Sequence, residues 1–283
     1  MVPCRETVQS FCQSVFGFPI SIGAIQNIID RVSCAIEPAY DRIAEIVRSS
    51  LVNYVDETSW KEGGKLRWLW TMVNENAAFF LIHPNRSKAA FDQLIENWKS
   101  ILVSDGYNVY RNWVNHRQTC LAHYIRKATA LSESKNESIR TFGTNIKSEL
   151  QLLCSWGEKP PNEKKWTEFI SRFTLLLILY EGADDEAGQL ARSLGREIDS
   201  LWVFLEENGV EPTNNRAERA LRFSVLWRKR SNGTQSDKGN RWVERILSFK
   251  QTCRIKGLAP FQILHDSIKC YFKELTPNLN WLG

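Results

Sequence analysis

A chain of 283 residues, 43% hydrophobic and 24% charged, has the balance of a globular protein of one large domain or two small ones, which excludes wholesale disorder. The net charge of +5 is only mildly basic, and the longest apolar stretch, Phe173 to Tyr180, is far too short to cross a bilayer. The start, Met1-Val2-Pro3-Cys4-Arg5-Glu6, lacks the basic-then-apolar layout of a secretory leader, and seven scattered Cys with no C-x-x-C pair point to reduced thiols in a cytosolic compartment.

Residues 1–50 read as a helical segment. Ile25, Ile28, Ile29, Val32, Ile36, Ala39, Ile43, Ile46 and Val47 recur at three- and four-residue steps, and Pro38 kinks or splits the run. Three extended segments follow: Leu51 to Val55, then Leu66 to Val73 after the turn signal Glu62-Gly63-Gly64, then Ala77 to His83 after Asn74-Glu75-Asn76. Such short links suit an antiparallel meander. Ser87 reads as an N-cap for a helix with the stripe Ala90, Phe91, Leu94, Ile95 and Trp98. Ile101 to Ser104 is a fourth strand stopped by Asp105-Gly106, and Arg117 to Cys120 a short fifth that runs into a helix from Leu121 to about Leu131. Helices between the later strands imply parallel pairing beside the antiparallel start, hence an α/β fold with a mixed five-stranded sheet.

From about Glu133 to Val210 every apolar run is helix-spaced, with Gly157 to Asn162 as the clearest linker. The expected organisation is therefore a first core part at 51–132, an all-helical insertion at 133–211 and a returning part at 212–283. That last part opens on Pro212-Thr213-Asn214-Asn215 and carries helices at Arg216 to about Trp227, Asn240 to Lys256 and Pro260 to Phe272, with a Gly-rich loop from Ser231 to Gly239.

The modest net charge conceals one basic stretch. Thr213 to Lys256 holds twelve basic and three acidic residues, with few acids at i+4 to neutralise them. A concentration of Arg, including Arg216, Arg219, Arg222, Arg228, Lys229 and Arg230, suits phosphate backbones, because guanidinium grips phosphate through two bonds. The bland reading is a solvated helix surface.

Three acids sit where chemistry is expected. Asp56 reads as the end of the first strand, Asp105 ends the fourth, and Glu218 lies near the start of the returning helix. Converging carboxylates suit Mg2+ or Mn2+, and a pair of such ions serves phosphoryl transfer. Each acid also has a structural reading: turn formers for Asp56 and Asp105, and a capping arrangement Asn215-x-x-Glu218 for the third. Other schemes fare worse. His83, His116, His123 and His265 have no G-x-S-x-G neighbour, and Gly233 and Gly239 do not form a Walker loop. Cys120 and His123 have ligand-like spacing without a second pair to complete a zinc site; a buried Cys and a helix-start His is the alternative.

The series Tyr54-Val55-Asp56-Glu57-Thr58, Ser104-Asp105-Gly106, Cys120-Leu121-Ala122-His123-Tyr124-Ile125-Arg126-Lys127, Thr213-Asn214-Asn215-Arg216-Ala217-Glu218-Arg219-Ala220-Leu221-Arg222 and Trp227-Arg228-Lys229 resembles the DDE transposases of the insertion sequence 66 family over nearly the whole chain. The resemblance implies a ribonuclease-H-like core with a helical insertion before the last catalytic helix. It puts the acidic triad and its metal ligands on Asp56, Asp105 and Glu218, and Mg2+ (or Mn2+), two ions, as cofactor. The implied reaction is cleavage at transposon ends followed by attack of the freed 3′-hydroxyl on target DNA, with the six basic residues holding phosphates. Expected partners are transposon-end and target DNA and a second copy of the chain, without a membrane; the expected location is cytoplasmic, on the nucleoid. Full-length relatives carry upstream zinc-binding and DNA-binding segments. This chain starts almost at the catalytic core, which leaves a full protein, a fragment and a decayed copy all open. Two alternatives stand beside an active transposase: a non-catalytic DNA-binding remnant that inhibits or partners an intact enzyme, and a ribonuclease-H-like nuclease that cuts but never joins.

Overall fold

The computed structural model describes residues 4–113 and 116–283, so Met1-Val2-Pro3 of the start lies outside the described residues. In chain order the main elements are α1 (Arg5–Phe16), α2 (Ile22–Ala35), α3 (Glu37–Arg48), β1 (Val52–Glu62), β2 (Lys65–Val73), β3 (Ala78–His83), α4 (Lys88–Ile95), β4 (Ile101–Ser104), α5 (Asn108–Arg111), β5 (Arg117–Thr119), α6 (Leu121–Ser132), α7 (Glu137–Ser155), α8 (Glu163–Tyr180), α9 (Glu186–Arg196), α10 (Val203–Glu206), α11 (Asn215–Ser231), α12 (Asp237–Ile255) and α13 (Pro260–Phe272). They fall into two compact units, Met1–Trp98 with Arg216–Gly283, and Lys99–Asn215. The five strands carry both antiparallel and parallel pairing, as a mixed α/β chain should.

In the first unit the strands form the antiparallel series β1-β2-β3. The N-terminal helical reading resolves into three helices. Gly17 closes α1 with a left-handed φ of 71°, and Pro38 sits in the first turn of α3, where its missing N–H costs nothing. One expectation is corrected: Asp56 does not end β1. The strand runs on to Glu62, and Asp56 lies opposite Thr71 in mid-ladder. The polar run Asp56 to Ser59 remains extended because Trp60 beyond it is fully buried and anchors the strand. The turn comes only at Gly63-Gly64, whose φ values of 54° and 80° give the two-residue hairpin loop that matches strand twist.

Trp60, Leu69, Val73, Ala78 and Phe80 form one core with Ala220 and Leu221 of α11 and Val243 and Leu247 of α12. On the opposite face Tyr40 of α3 packs on Phe79 at 5.0 Å between ring centroids. Helix α12 also closes the open edge of β3. The Ala78, Phe80 and Ile82 N–H groups donate to Thr252 Oγ1 (3.1 Å), Ser248 Oγ (3.0 Å) and Glu244 Oε1 (2.6 Å). The periods match: two strand residues span about 6.7 Å and four helical residues about 6 Å. Burial raises the Glu244 carboxyl pKa, against the opposing pull of the Ile82 N–H and Arg241. Ser248→Ala leaves the Phe80 N–H buried without an acceptor and is expected to cost about 1–3 kcal/mol in urea unfolding. Glu244→Gln, which keeps an oxygen for Ile82, is expected to cost less than about 1 kcal/mol.

The second unit holds the parallel pair β4-β5, with Leu102, Val103 and Ser104 beside Arg117, Gln118 and Thr119, and the helices of the predicted insertion. Its stripes are buried as the spacing predicts: Ile139, Phe142, Ile146, Leu150 and Leu153 from α7, with Phe169, Phe173 and Leu177 from α8. Trp156, Trp166 and Trp202 join Phe169 in a chain of ring contacts at 5.0–6.0 Å, so they are core. Helices α6 and α7 approach so closely that a Cβ on Gly143 would lie 2.4 Å from the Ser132 backbone nitrogen, which excludes any side chain there. The β5 end is tied to the residue after α9 by a buried ion cluster. Glu197 accepts from Arg117 and from Thr119 Oγ1 (2.6 Å), and pairs with Arg111 at 2.8 Å.

Candidate active site

Alternation along β1 puts Tyr54, Asp56, Thr58 and Trp60 on one face of the sheet. Trp60 packs there against Ala220 and Leu221 of α11. Two further contacts fix how α11 lies along this strand. The Arg216 guanidinium stands 5.1 Å from the Tyr54 ring centroid, and Arg228 Nη1 donates to Thr58 Oγ1 at 3.2 Å and to Ser59. Asp56 therefore lies between two strand positions that α11 grips. It is half-buried, and its Oδ1 accepts the Glu57 N–H at 2.9 Å.

Glu218 stands two residues after Arg216, in the first turn of α11, also half-buried. The positive end of the helix dipole favours a carboxylate there. Because α11 begins at Asn215, Glu218 is its fourth residue, one step beyond the third-residue position that a capping box requires. Two of the three predicted acids thus belong to one β1–α11 pairing in one unit. The adjacent acid, Glu57, points to the other face; its side chain is only 1% exposed and pairs with Arg86 at 2.6 Å, while Arg86 lies 5.1 Å over the Trp68 ring. Alternation sorts neighbouring acids into one on the α11 side and one in a structural ion pair.

Asp105 belongs to the other unit and directly follows β4, as predicted. Its Oδ1 accepts the Tyr107 N–H at 2.9 Å, so it also makes the turn that its Asp-Gly sequence suggests. Cys120 is buried at the start of α6, where its Sγ accepts the Asn214 N–H at 3.1 Å; His123 follows in the first turn. The Cys120 Sγ and a His123 ring nitrogen lie within 4.8 Å of each other. Among the described residues no Cys forms a disulfide.

The basic stretch splits in two. Lys238 pairs with Asp30 of α2 at 2.6 Å, Arg245 with Glu37 of α3, and Arg241 with Glu244 at 3.1 Å. The acids that the local sequence lacks come from helices some two hundred residues away. Arg216 and Arg228 are half-buried against β1. Arg219, Arg222, Lys229 and Arg230 remain exposed, and among the described residues none of the four has an ion-pair partner. At about 100° per residue these four fall within an arc of roughly 100°, one solvent-facing stripe.

Sequence reasoning missed the Glu197 cluster and the Tyr54–Arg216 stack. Neither has a local signal: Arg117 and Glu197 are eighty positions apart, and nothing in the spacing links them.

No helix among the described residues is long and apolar enough to cross a membrane. The chain is 21% identical over 289 residues to the uncharacterized protein y4jD of Sinorhizobium fredii, an alignment covering 90% of this chain and 57% of that one. It is 28% identical over 184 residues to the uncharacterized protein y4jO of the same organism, covering 63% and 55%. The chain thus spans about half the length of the curated relatives it matches. The family model described as "Transposase IS66 family" matches residues 2–241, most of the chain, and with it this protein belongs to the IS66 family of transposases.

Proposed function

We propose that this chain is the catalytic core of a DDE transposase, with a ribonuclease-H-like fold, that cuts and rejoins DNA through Asp56, Asp105 and Glu218. The observation that carries the reading is the β1–α11 pairing, which holds two half-buried acids in one unit beside a stripe of exposed cations. The donor set fits a hard divalent ion in kind: all three side chains offer carboxylate oxygen, the ligand that Mg2+ and Mn2+ prefer. Bound there, such ions would supply charge neutralisation at the reacting phosphate.

The remaining work falls to the protein's own groups. Arg228 and Arg216 brace α11 against β1 and so hold Glu218 on the strand that carries Asp56. The Asp105 turn fixes the direction of its carboxyl. Arg219, Arg222, Lys229 and Arg230 hold the DNA backbone, a contact that positions the strand without reading its sequence. Water serves as the first nucleophile and the freed 3′-hydroxyl as the second. Joining two transposon ends to target DNA calls for two copies of the chain.

The test is incubation of the chain with duplex DNA and Mg2+, scored for nicking and strand joining beside a binding assay. Metal-dependent nicking and joining are expected. Log affinity should fall with log salt at a slope of about −3 to −4, from four phosphate contacts. Binding with no cleavage would instead assign the non-catalytic remnant, which the cation stripe alone would support. Cleavage without joining would assign a nuclease.

A further inference from the structure

The first unit contains a cavity of about 700 Å³ bounded by the starts of α1 and α2, the C-terminal end of α11, and the loop that leads into α12. We propose that this cavity takes one unpaired nucleobase of the DNA, an inference that rests on DNA being the substrate. Its volume is within the range of small-ligand sites. Two indoles line it, Trp227 and Trp242, each half-buried with one side on the sheet core. Among the described residues neither indole N–H donates to a protein acceptor, and Trp227 is held edge-on by Trp60 at 6.3 Å and 90°.

The loop wall is fixed as well. Thr234 exchanges backbone bonds with Gly63 and Lys61 at 2.8 Å each, and its hydroxyl accepts from Trp60 Nε1 at 3.2 Å. Rigid aromatic walls suit a planar base, whose stacking on such side chains is tolerant of sequence.

The charge pattern points the same way. Arg230 lines the cavity and also ends the exposed stripe of Arg219, Arg222 and Lys229, so a backbone lying on the stripe is led to the opening. Arg5 adds a second cation; Lys238 is already occupied by Asp30, and Glu6 is the other acid of the lining. A bare anion has no use for two indoles, and a purely apolar ligand none for the arginines. A nucleotide uses both, with its base on Trp and its phosphate on Arg.

The experiment uses the full chain and two short duplexes of the same sequence. One is fully paired; the other carries one base opposite an abasic position, with 5-iododeoxyuridine as that base for photocrosslinking. Binding should be roughly five- to a hundredfold tighter for the duplex with the unpaired base. The crosslink should map to Trp227 or Trp242, and Trp242→Leu, which keeps an apolar side chain on the core, should erase the preference. Equal affinity for the two duplexes, or crosslinks mapping only elsewhere, overturns the cavity assignment while paired-DNA binding leaves the transposase reading standing. Failure to bind either duplex overturns both.

Discussion

Asp56→Asn is expected to lower Mg2+-dependent strand cleavage by roughly a thousandfold or more, equivalent to about 4 kcal/mol of transition-state stabilisation. Stability should hardly change, because the asparagine Oδ1 can still accept the Glu57 N–H that Asp56 Oδ1 accepts at 2.9 Å. Affinity for DNA should stay within about twofold, since the exposed basic stripe on α11 that is proposed to hold phosphates is untouched. Glu218→Gln and Asp105→Asn should behave alike. The informative control is Glu57→Gln, one residue away. Its carboxylate is buried against Arg86 on the opposite face, so the expected effect is lost stability with cleavage per folded molecule retained. Measured side by side, the two substitutions separate a reacting carboxylate from a structural one. Loss of cleavage in Glu57→Gln with full activity in Asp56→Asn would reverse the assignment.

The largest stability loss is expected from Glu197→Ala in the second unit. The Glu197 side chain is 1% exposed and Arg117 6%, with Arg111 and the Thr119 hydroxyl completing the cluster. Removing the acid leaves a buried guanidinium without its counter-charge, a loss of about 3–5 kcal/mol. Burial alone pushes the Glu197 carboxyl pKa up. The hydrogen bonds from Thr119 and Arg117 and the charges of Arg117 and Arg111 outweigh it, and the net direction is down. A carboxyl whose folded pKa lies below its unfolded value stabilises fully above the unfolded value, near 4.5, and loses that contribution as pH falls through the folded one. Urea midpoints followed from neutral pH to about pH 3 should therefore fall in the parent chain, and more shallowly in Glu197→Ala. Parallel slopes would show that the cluster does not titrate as described. Glu244 runs the opposite way: with its pKa raised by burial, protonation favours the fold as pH falls toward 4.5.

Helices were legible wherever one apolar stripe decides the element. The stripes of α7 and α8 and the Ser87 cap, whose Oγ accepts the Ala90 N–H, are where the spacing puts them. Strand ends were harder. The sequence reads β1 as ending at Asp56, but the ladder with β2 and the burial of Trp60 carry it to Glu62, which leaves Asp56 in mid-strand. Sequence distance hid the rest. The surplus of arginine near α12 reads as an open cationic surface because Asp30 and Glu37, which neutralise Lys238 and Arg245, lie more than two hundred positions upstream. The α11 stripe keeps the exposed character that composition suggests. Asp105 was legible as the acid that follows β4 and Glu218 as one near the start of α11, whereas the place of Asp56 in mid-strand, on the α11 side, became clear only through the register of β1.

One measurement tests Asp56, Asp105 and Glu218 together as the proposed metal ligands. Iron(II) loaded in place of Mg2+, with ascorbate and peroxide, generates hydroxyl radicals that cut the backbone near the bound ion. Three sets of fragments are expected, ending near residues 56, 105 and 218, all suppressed together by excess Mg2+ and all lost in Glu218→Gln. Cuts confined to one of these segments, or persisting unchanged in Glu218→Gln, would rule out a shared metal centre.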